Sequence, residues 1–105
     1  MRSTQEGQTI TDVIRMPNPP EIPLENDRVR VLRVSFKPGD KAAMHSHPDY
    51  ITYTTKGGEL KMASPSGGTE TMLFEAGKAL FFKAETHEVE NTGGSEMETI
   101  VVELK

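Results

Sequence analysis

The sequence predicts an all-β protein, a sandwich or barrel of short antiparallel strands that fold as one domain. Runs of β-branched and aromatic residues, each of strand length, alternate with turn signals rich in glycine and proline along most of the chain. No stretch keeps a helical apolar period for three turns, so helix should be scarce. At 105 residues, the chain is long enough for one hydrophobic core and too short for two.

The first 27 residues are predicted to form an N-terminal arm. Within it, residues 8–15 have the composition of a strand. Residues 17–23 contain four prolines and should not form one, because proline lacks a backbone donor and fixes φ.

The arm also predicts a partner. Ile10, Val13 and Ile14 have no evident partner strand nearby and would bury little surface alone. Exchange of the arm between two copies would cover both these side chains and a sheet edge. A homodimer is therefore expected.

Residues 28–105 are predicted to form the barrel domain, with six to nine strands in total. Gly39 and Gly77 each stand in a turn between two runs and are predicted to need a positive φ. The predicted strands, in order, are residues 28–37, 41–45, 50–55, 59–64, 70–75, 79–83, 87–92 and 96–104.

Composition and charge exclude several functions. The net charge is -4 and no basic run is present, so nucleic acid and anionic membranes are poor candidate partners. The chain has no cysteine, which excludes disulfides, thiolate metal sites and cysteine nucleophiles. The first seven residues have no apolar core of a secretory signal, and nothing approaches the roughly 20 apolar residues of a membrane span. The expected location is the cytoplasm.

The three histidines are the best candidates for a functional site. His45 and His47 are two residues apart in a predicted strand, so their imidazoles should point to the same face. His87, from a distant strand, could complete a facial metal site with them. The plainer interpretation is a pair of surface histidines. Asn91, four residues after His87, is predicted to be structural and to bind the backbone of a neighbouring turn.

The spacing around the first histidines resembles a known motif. Gly39, five residues, His45, one residue, His47 and then Gly58 resemble the first motif of the cupins. The segment at residues 45–49, His-Ser-His-Pro-Asp, followed by Tyr53 and Gly57-Gly58, is most similar to small cupins of the β-alanine-degradation type.

The second half of the chain resembles the second cupin motif. Gly77, five residues and Lys83 precede His87, three residues and Asn91, and together the two motifs span about half of the chain. The resemblance implies a jelly-roll barrel, also called a double-stranded β-helix, with the two motifs on adjacent strands. It also implies one divalent transition metal bound by the three histidines, and imidazole suits iron, manganese, nickel, copper and zinc alike.

The chain departs from the cupin pattern where the family usually has a glutamate ligand. Depending on how the spacing is counted, that position falls on Tyr50, Ile51 or Thr52, and none is a carboxylate. Strand alternation favours Tyr50 and Thr52, which share a face. Tyr50, Thr52 and Phe82 are therefore the candidates for the wall of a substrate pocket, and the Tyr50 phenol is expected to donate a hydrogen bond to a bound anion. Lys83 stands where the second motif usually has proline.

A site of three neutral imidazoles leaves the full charge on a divalent ion, so it should prefer a small anionic oxygen chelate. This is compatible with a non-haem metal dioxygenase or with a lyase that polarises its substrate. The fold hosts many chemistries, and a cupin that only binds a small ligand is the alternative. A third possibility is a structural dimer whose metal only cross-links strands.

Overall fold

The structure, a computed structural model, describes residues 20–105 and consists of β-strands joined by turns. The predicted all-β class is confirmed, and the described residues contain no helix. In particular, no helix in this part of the chain is long and apolar enough to cross a membrane. The nine strands, in chain order, are β1 (Glu21–Glu25), β2 (Val29–Phe36), β3 (Lys41–His47), β4 (Tyr50–Lys56), β5 (Gly58–Ala63), β6 (Thr69–Phe74), β7 (Ala79–Phe82), β8 (Glu85–Asn91) and β9 (Met97–Leu104).

The strands form two antiparallel sheets, in the order β1-β2-β9-β4-β7 and β3-β8-β5-β6. This arrangement is the predicted jelly roll. Along each central strand, buried and more exposed residues alternate, as the period of two in a strand requires. The buried apolar side chains form one core between the sheets, made of Leu32, Val34, Phe36, Ala42, Tyr50, Leu60, Phe74, Val89, Met97 and Val101.

The two cupin-like motifs lie on neighbouring strands. β3 carries the first pair of histidines and pairs with β8, in a register that places His45 directly opposite His87. The turns that lead into β3 and β7 contain Gly39 and Gly77, with φ of 88° and 83°. Both glycines therefore have the predicted positive φ, a conformation that side chains rarely adopt.

Asn91 has the structural role predicted for it. Its side chain, 1% exposed, donates hydrogen bonds to the carbonyl oxygens of Phe36 at 2.9 Å and Ser95 at 3.0 Å. Its Oδ1 accepts one from the backbone N–H of Gly93 at 2.9 Å. Asn91 thus satisfies backbone groups in two segments and fixes the end of β8, the strand that carries His87.

One expectation about the arm is wrong. Residues 17–23 were expected to exclude a strand, yet β1 begins at Glu21 and includes Pro23. β1 is an edge strand with a register shift between Glu21 and Leu24. Such a position tolerates Pro23, because the pairing with β2 does not need an N–H there. The predicted strand at residues 8–15, with Ile10, Val13 and Ile14, lies outside the described residues.

Candidate metal centre

The three histidines come together between the sheets. His45 and His87 are each 5% exposed, and the side chain of His47 is 7% exposed. The ring centroids are 4.7 Å apart for His45 and His47, 4.7 Å for His45 and His87, and 5.1 Å for His47 and His87. Each ring offers one nitrogen as a ligand atom, and these three nitrogens all lie within 4.8 Å of one another. The alternation in β3 and the β3–β8 register together produce this triangle.

The outer nitrogens of the imidazoles face oxygen atoms. His45 Nδ1 lies 2.6 Å from the carbonyl oxygen of Ala43, which can only accept, so a neutral His45 carries its proton on Nδ1. His47 Nδ1 bonds to a carboxylate oxygen of Glu103. His87 Nδ1 lies 3.1 Å from Glu85 Oε2, although the two are not aligned for a hydrogen bond.

These contacts place the ring protons of neutral His45 and His47 on Nδ1, so their Nε2 atoms are the acceptor nitrogens. His87 Nε2 lies 3.1 Å from His45 Nε2. In the metal-free protein this contact is favourable when His87 donates, because His45 Nε2 carries no proton. Burial and repulsion from the charged forms of His47 and His45 lower the pKa of His87 to about 3, so its ring is neutral at ordinary pH.

Glu103 connects His47 to a buried arginine. The Glu103 carboxylate is 1% exposed, and its Oε1 accepts hydrogen bonds from Nε of Arg30 at 2.8 Å and from Nη2. Its Oε2 is the oxygen that binds His47. Burial alone would raise the pKa of the Glu103 carboxyl, but the hydrogen bond and charge of His47 and the guanidinium of Arg30 hold that pKa below its usual range. Glu103 is therefore an anion that orients the His47 ring.

Neither Glu103 nor Arg30 was singled out in the sequence. They lie 73 positions apart and meet because β2 pairs with β9 in a register that sets them opposite each other. The only signal in the sequence was that both are charged residues at positions where the alternation of the strand predicts a buried apolar side chain.

The structure places the three predicted pocket residues in the wall of a cavity that also includes the histidines. This cavity has a volume of about 60 Å³, and its remaining lining is mostly apolar. Tyr50 is 2% exposed and Thr52 is 4% exposed. The ring of Phe82 stacks on that of Tyr50 at 5.0 Å between centroids.

The Tyr50 hydroxyl donates its one hydrogen bond to the Glu85 carboxylate, and the hydrogen bond from Tyr50 to a bound anion stays a prediction. Glu85 lies two residues before His87 and so on the same face of β8. Burial, the hydrogen bond from Tyr50 to Glu85 and the nearby negative charges raise the pKa of the Tyr50 phenol well above its usual value. Tyr50 therefore stays neutral, and ligation as a phenolate is disfavoured.

Comparisons with solved structures agree with this architecture. A cupin domain from Bordetella pertussis Tohama I is 27% identical, with a TM-score of 0.78 over 87% of this chain and 96% of that one. A protein with a double-stranded β-helix domain from Klebsiella pneumoniae is 22% identical, with a TM-score of 0.64 over 89% of this chain and 84% of that one. An RmlC-like cupin family protein with the same fold from Methanocaldococcus jannaschii is 13% identical, with a TM-score of 0.66 over 85% and 81%. No family model matches the chain, and no curated protein matches it.

Proposed function

We propose that this chain, a small protein of the cupin superfamily, binds one divalent transition metal through His45, His47 and His87 and acts on a small organic anion. The observation that carries the proposal is the buried triangle of imidazoles, whose outer nitrogens all lie beside oxygen atoms. Partners of this kind orient histidine ligands in metalloproteins and fix their tautomers. The finer likeness to β-alanine-degradation cupins and the cytoplasmic location stay predictions.

The distances fit a metal ion. Two imidazole nitrogens that each lie about 2.1 Å from one ion, at roughly a right angle, are about 3 Å apart. His45 Nε2 and His87 Nε2 are 3.1 Å apart. Iron, manganese, nickel and zinc all accept imidazole, so the donor set does not select among them.

The chemistry follows from the charge of this donor set. When bound, the metal would supply Lewis acidity and open positions for an anionic oxygen ligand. The apolar cavity wall would exclude water around that ligand, and Tyr50, held by Glu85, would form one side of the pocket. A metal-dependent dioxygenase or lyase is the function we propose.

A second candidate is a binding module without catalysis. Apart from the histidines, the polar side chains that line the cavity are Tyr50, Thr52 and Thr99, so no carboxylate or amine is among the lining residues. A cavity with so few acid–base groups suits capture of a small ligand as well as its conversion.

Turnover separates the two candidates. Iron(II)-loaded protein is mixed with a chelating anion such as pyruvate or with 2,4-pentanedione, first without oxygen and then with it. We expect consumption of one of these compounds, with oxygen uptake for a dioxygenase and without it for a lyase, and none in His47→Ala. Saturable binding without loss of any compound would contradict the enzyme proposal and select the binding module.

We also propose that the protein is a homodimer, and the outer face of the five-stranded sheet supports this. One apolar residue from each strand lies in a single cross-strand row, from Leu24 through Val31, Val102 and Ile51 to Phe81. Leu24 is 51% exposed and Phe81 is 56% exposed. Sheets commonly bury such faces against each other, and most homo-oligomers are two-fold dimers.

A substitution in this row should weaken the dimer. We expect Phe81→Lys to shift the protein towards the monomer in sedimentation velocity, because a buried lysine in the interface would have no partner. Leu73→Lys is the matched control, since Leu73 is 63% exposed but lies on β6 of the other sheet. Deletion of residues 1–20 should also weaken the dimer. A monomeric wild-type protein, or equal behaviour of Phe81→Lys and the wild type, would contradict the proposal.

A further inference from the structure

The wall of the cavity beside the histidines is almost entirely hydrocarbon. Apart from the three imidazoles, thirteen of the described residues line it, and ten of these are apolar. They come from both sheets, with Leu32 and Val101 on one side and Leu60 and Phe74 on the other. A charged group of a ligand that lay against these residues would lose its hydration without gaining a partner.

The three hydroxyl groups of the wall do not change this apolar character. The Tyr50 hydroxyl donates its hydrogen to the Glu85 carboxylate. The hydroxyl of Thr99 donates to the carbonyl oxygen of Tyr53 at 3.3 Å. The oxygen of the Thr52 hydroxyl is itself buried, so a molecule in the cavity cannot reach it. Away from the histidines, the wall therefore presents a hydrocarbon surface to a ligand.

The volume of the cavity limits the ligand to a small aliphatic molecule. It is about 60 Å³, which gives room for roughly four to six water-sized groups, since each of them needs about 10–15 Å³. Benzene binds in an apolar cavity of about 150 Å³, which is more than twice this volume. A short alkyl chain therefore fits beside the histidines, whereas an aromatic ring does not.

We propose that the substrate class is a short-chain aliphatic 2-hydroxy or 2-oxo acid whose tail is an unsubstituted alkyl group. The carboxylate and the oxygen on carbon 2 form the anionic oxygen chelate that a site of three neutral imidazoles prefers. The alkyl tail lies against the apolar wall, where a second carboxylate would have no partner. This rests on the proposed function, because it takes the histidines as the place where the anion binds.

Binding of a graded series of acids tests this inference. Cobalt(II)-loaded protein is titrated calorimetrically, without oxygen, with the straight-chain 2-hydroxy acids from lactate to 2-hydroxyoctanoate. We expect each of the first methylenes to tighten binding about threefold to fourfold, until the cavity is full and affinity falls. Malate and 2-hydroxy-4-methylpentanoate have the same shape, since two methyl groups replace the oxygens of the second carboxylate. Malate should bind at least about tenfold more weakly, and 3-phenyllactate no more tightly than lactate.

A pair of leucine variants tests whether the tail lies in this cavity. Leu60 lines the cavity and is 3% exposed, whereas Leu73, on β6, is 63% exposed. Leu60→Val removes one methylene from the wall, so the tightest-binding acid should become longer by about one carbon. Leu73→Val should leave the order of affinities unchanged.

Several results would overturn the inference. These are malate binding as tightly as 2-hydroxy-4-methylpentanoate, an affinity that does not change along the series, 3-phenyllactate as the tightest ligand, or the wild-type order in a folded Leu60→Val protein. Wild-type protein that takes up no cobalt would contradict the proposed function itself, and the substrate class with it.

Discussion

Replacement of Glu103 with alanine is expected to lower the free energy of unfolding by about 3–5 kcal/mol. Glu103 and Arg30 are 1% and 5% exposed, and the carboxylate is the partner of the buried guanidinium. Without it, Arg30 would keep a buried charge with no counter-charge, which costs far more than the loss of one exposed contact. Urea unfolding at neutral pH measures the effect.

The chain contains a matched control for this prediction. Arg33 and Glu21 form an ion pair at 2.6 Å, but their side chains are 46% and 69% exposed. Exposed pairs contribute about 1 kcal/mol or less, so Glu21→Ala should have little effect. The double substitution Arg30→Met and Glu103→Leu should recover most of the stability lost in Glu103→Ala, because it removes both charges. If Glu103→Ala lowered the free energy of unfolding no more than Glu21→Ala does, the buried pair would not stabilise the fold.

Glu103 also links stability to the metal centre. Glu103→Gln keeps the shape of the side chain but removes the negative charge of the group that accepts the hydrogen bond from His47 Nδ1. Substitutions of this kind typically cost about 10-fold to 100-fold in metal affinity. We expect a loss in that range for Glu103→Gln, with the metal stoichiometry unchanged at saturation.

The second large effect is expected from the histidines themselves. His47→Ala should abolish metal uptake, because two imidazoles from β3 and β8 cannot hold a divalent ion as three can, and the chain has no other histidine or cysteine. The same is expected of His45→Ala and His87→Ala. The fold should persist in each variant, since the core of the barrel does not depend on these rings.

Tyr50→Phe is the control for the histidine variants. The ring of Tyr50 lies against that of His47, with centroids 4.6 Å apart, and its hydroxyl donates to Glu85. Tyr50 is not a predicted metal ligand. Metal uptake should therefore survive this substitution. An intense visible band in the ferric protein that disappears in Tyr50→Phe would instead identify the phenol as a ligand.

The strand pattern and the placement of His45 and His47 on one face were accessible from the sequence because both depend on local periodicity, whereas His87 was added to them through the resemblance to the second cupin motif. The glycine turns and β-branched runs predicted each strand from β2 to β9 to within a few residues, and the alternation in β3 placed His45 and His47 on one face. β1 was missed because an edge strand tolerates the proline that a central strand excludes.

The residues around the triangle could not be predicted in this way. Glu103 and Arg30 meet through the register of β2 and β9, and Glu85 meets Tyr50 between β8 and β4, which lie in different sheets. Registers between distant strands depend on the whole barrel and leave no local pattern in the sequence.

The central claim, that the three histidines form one metal centre, is tested most directly by calorimetric titration of the metal-free protein with cobalt(II). The structure predicts saturable binding of one ion per chain in the wild type and in Tyr50→Phe, and none in His47→Ala. Absence of binding in the wild type, or binding that is the same in His47→Ala, would contradict it.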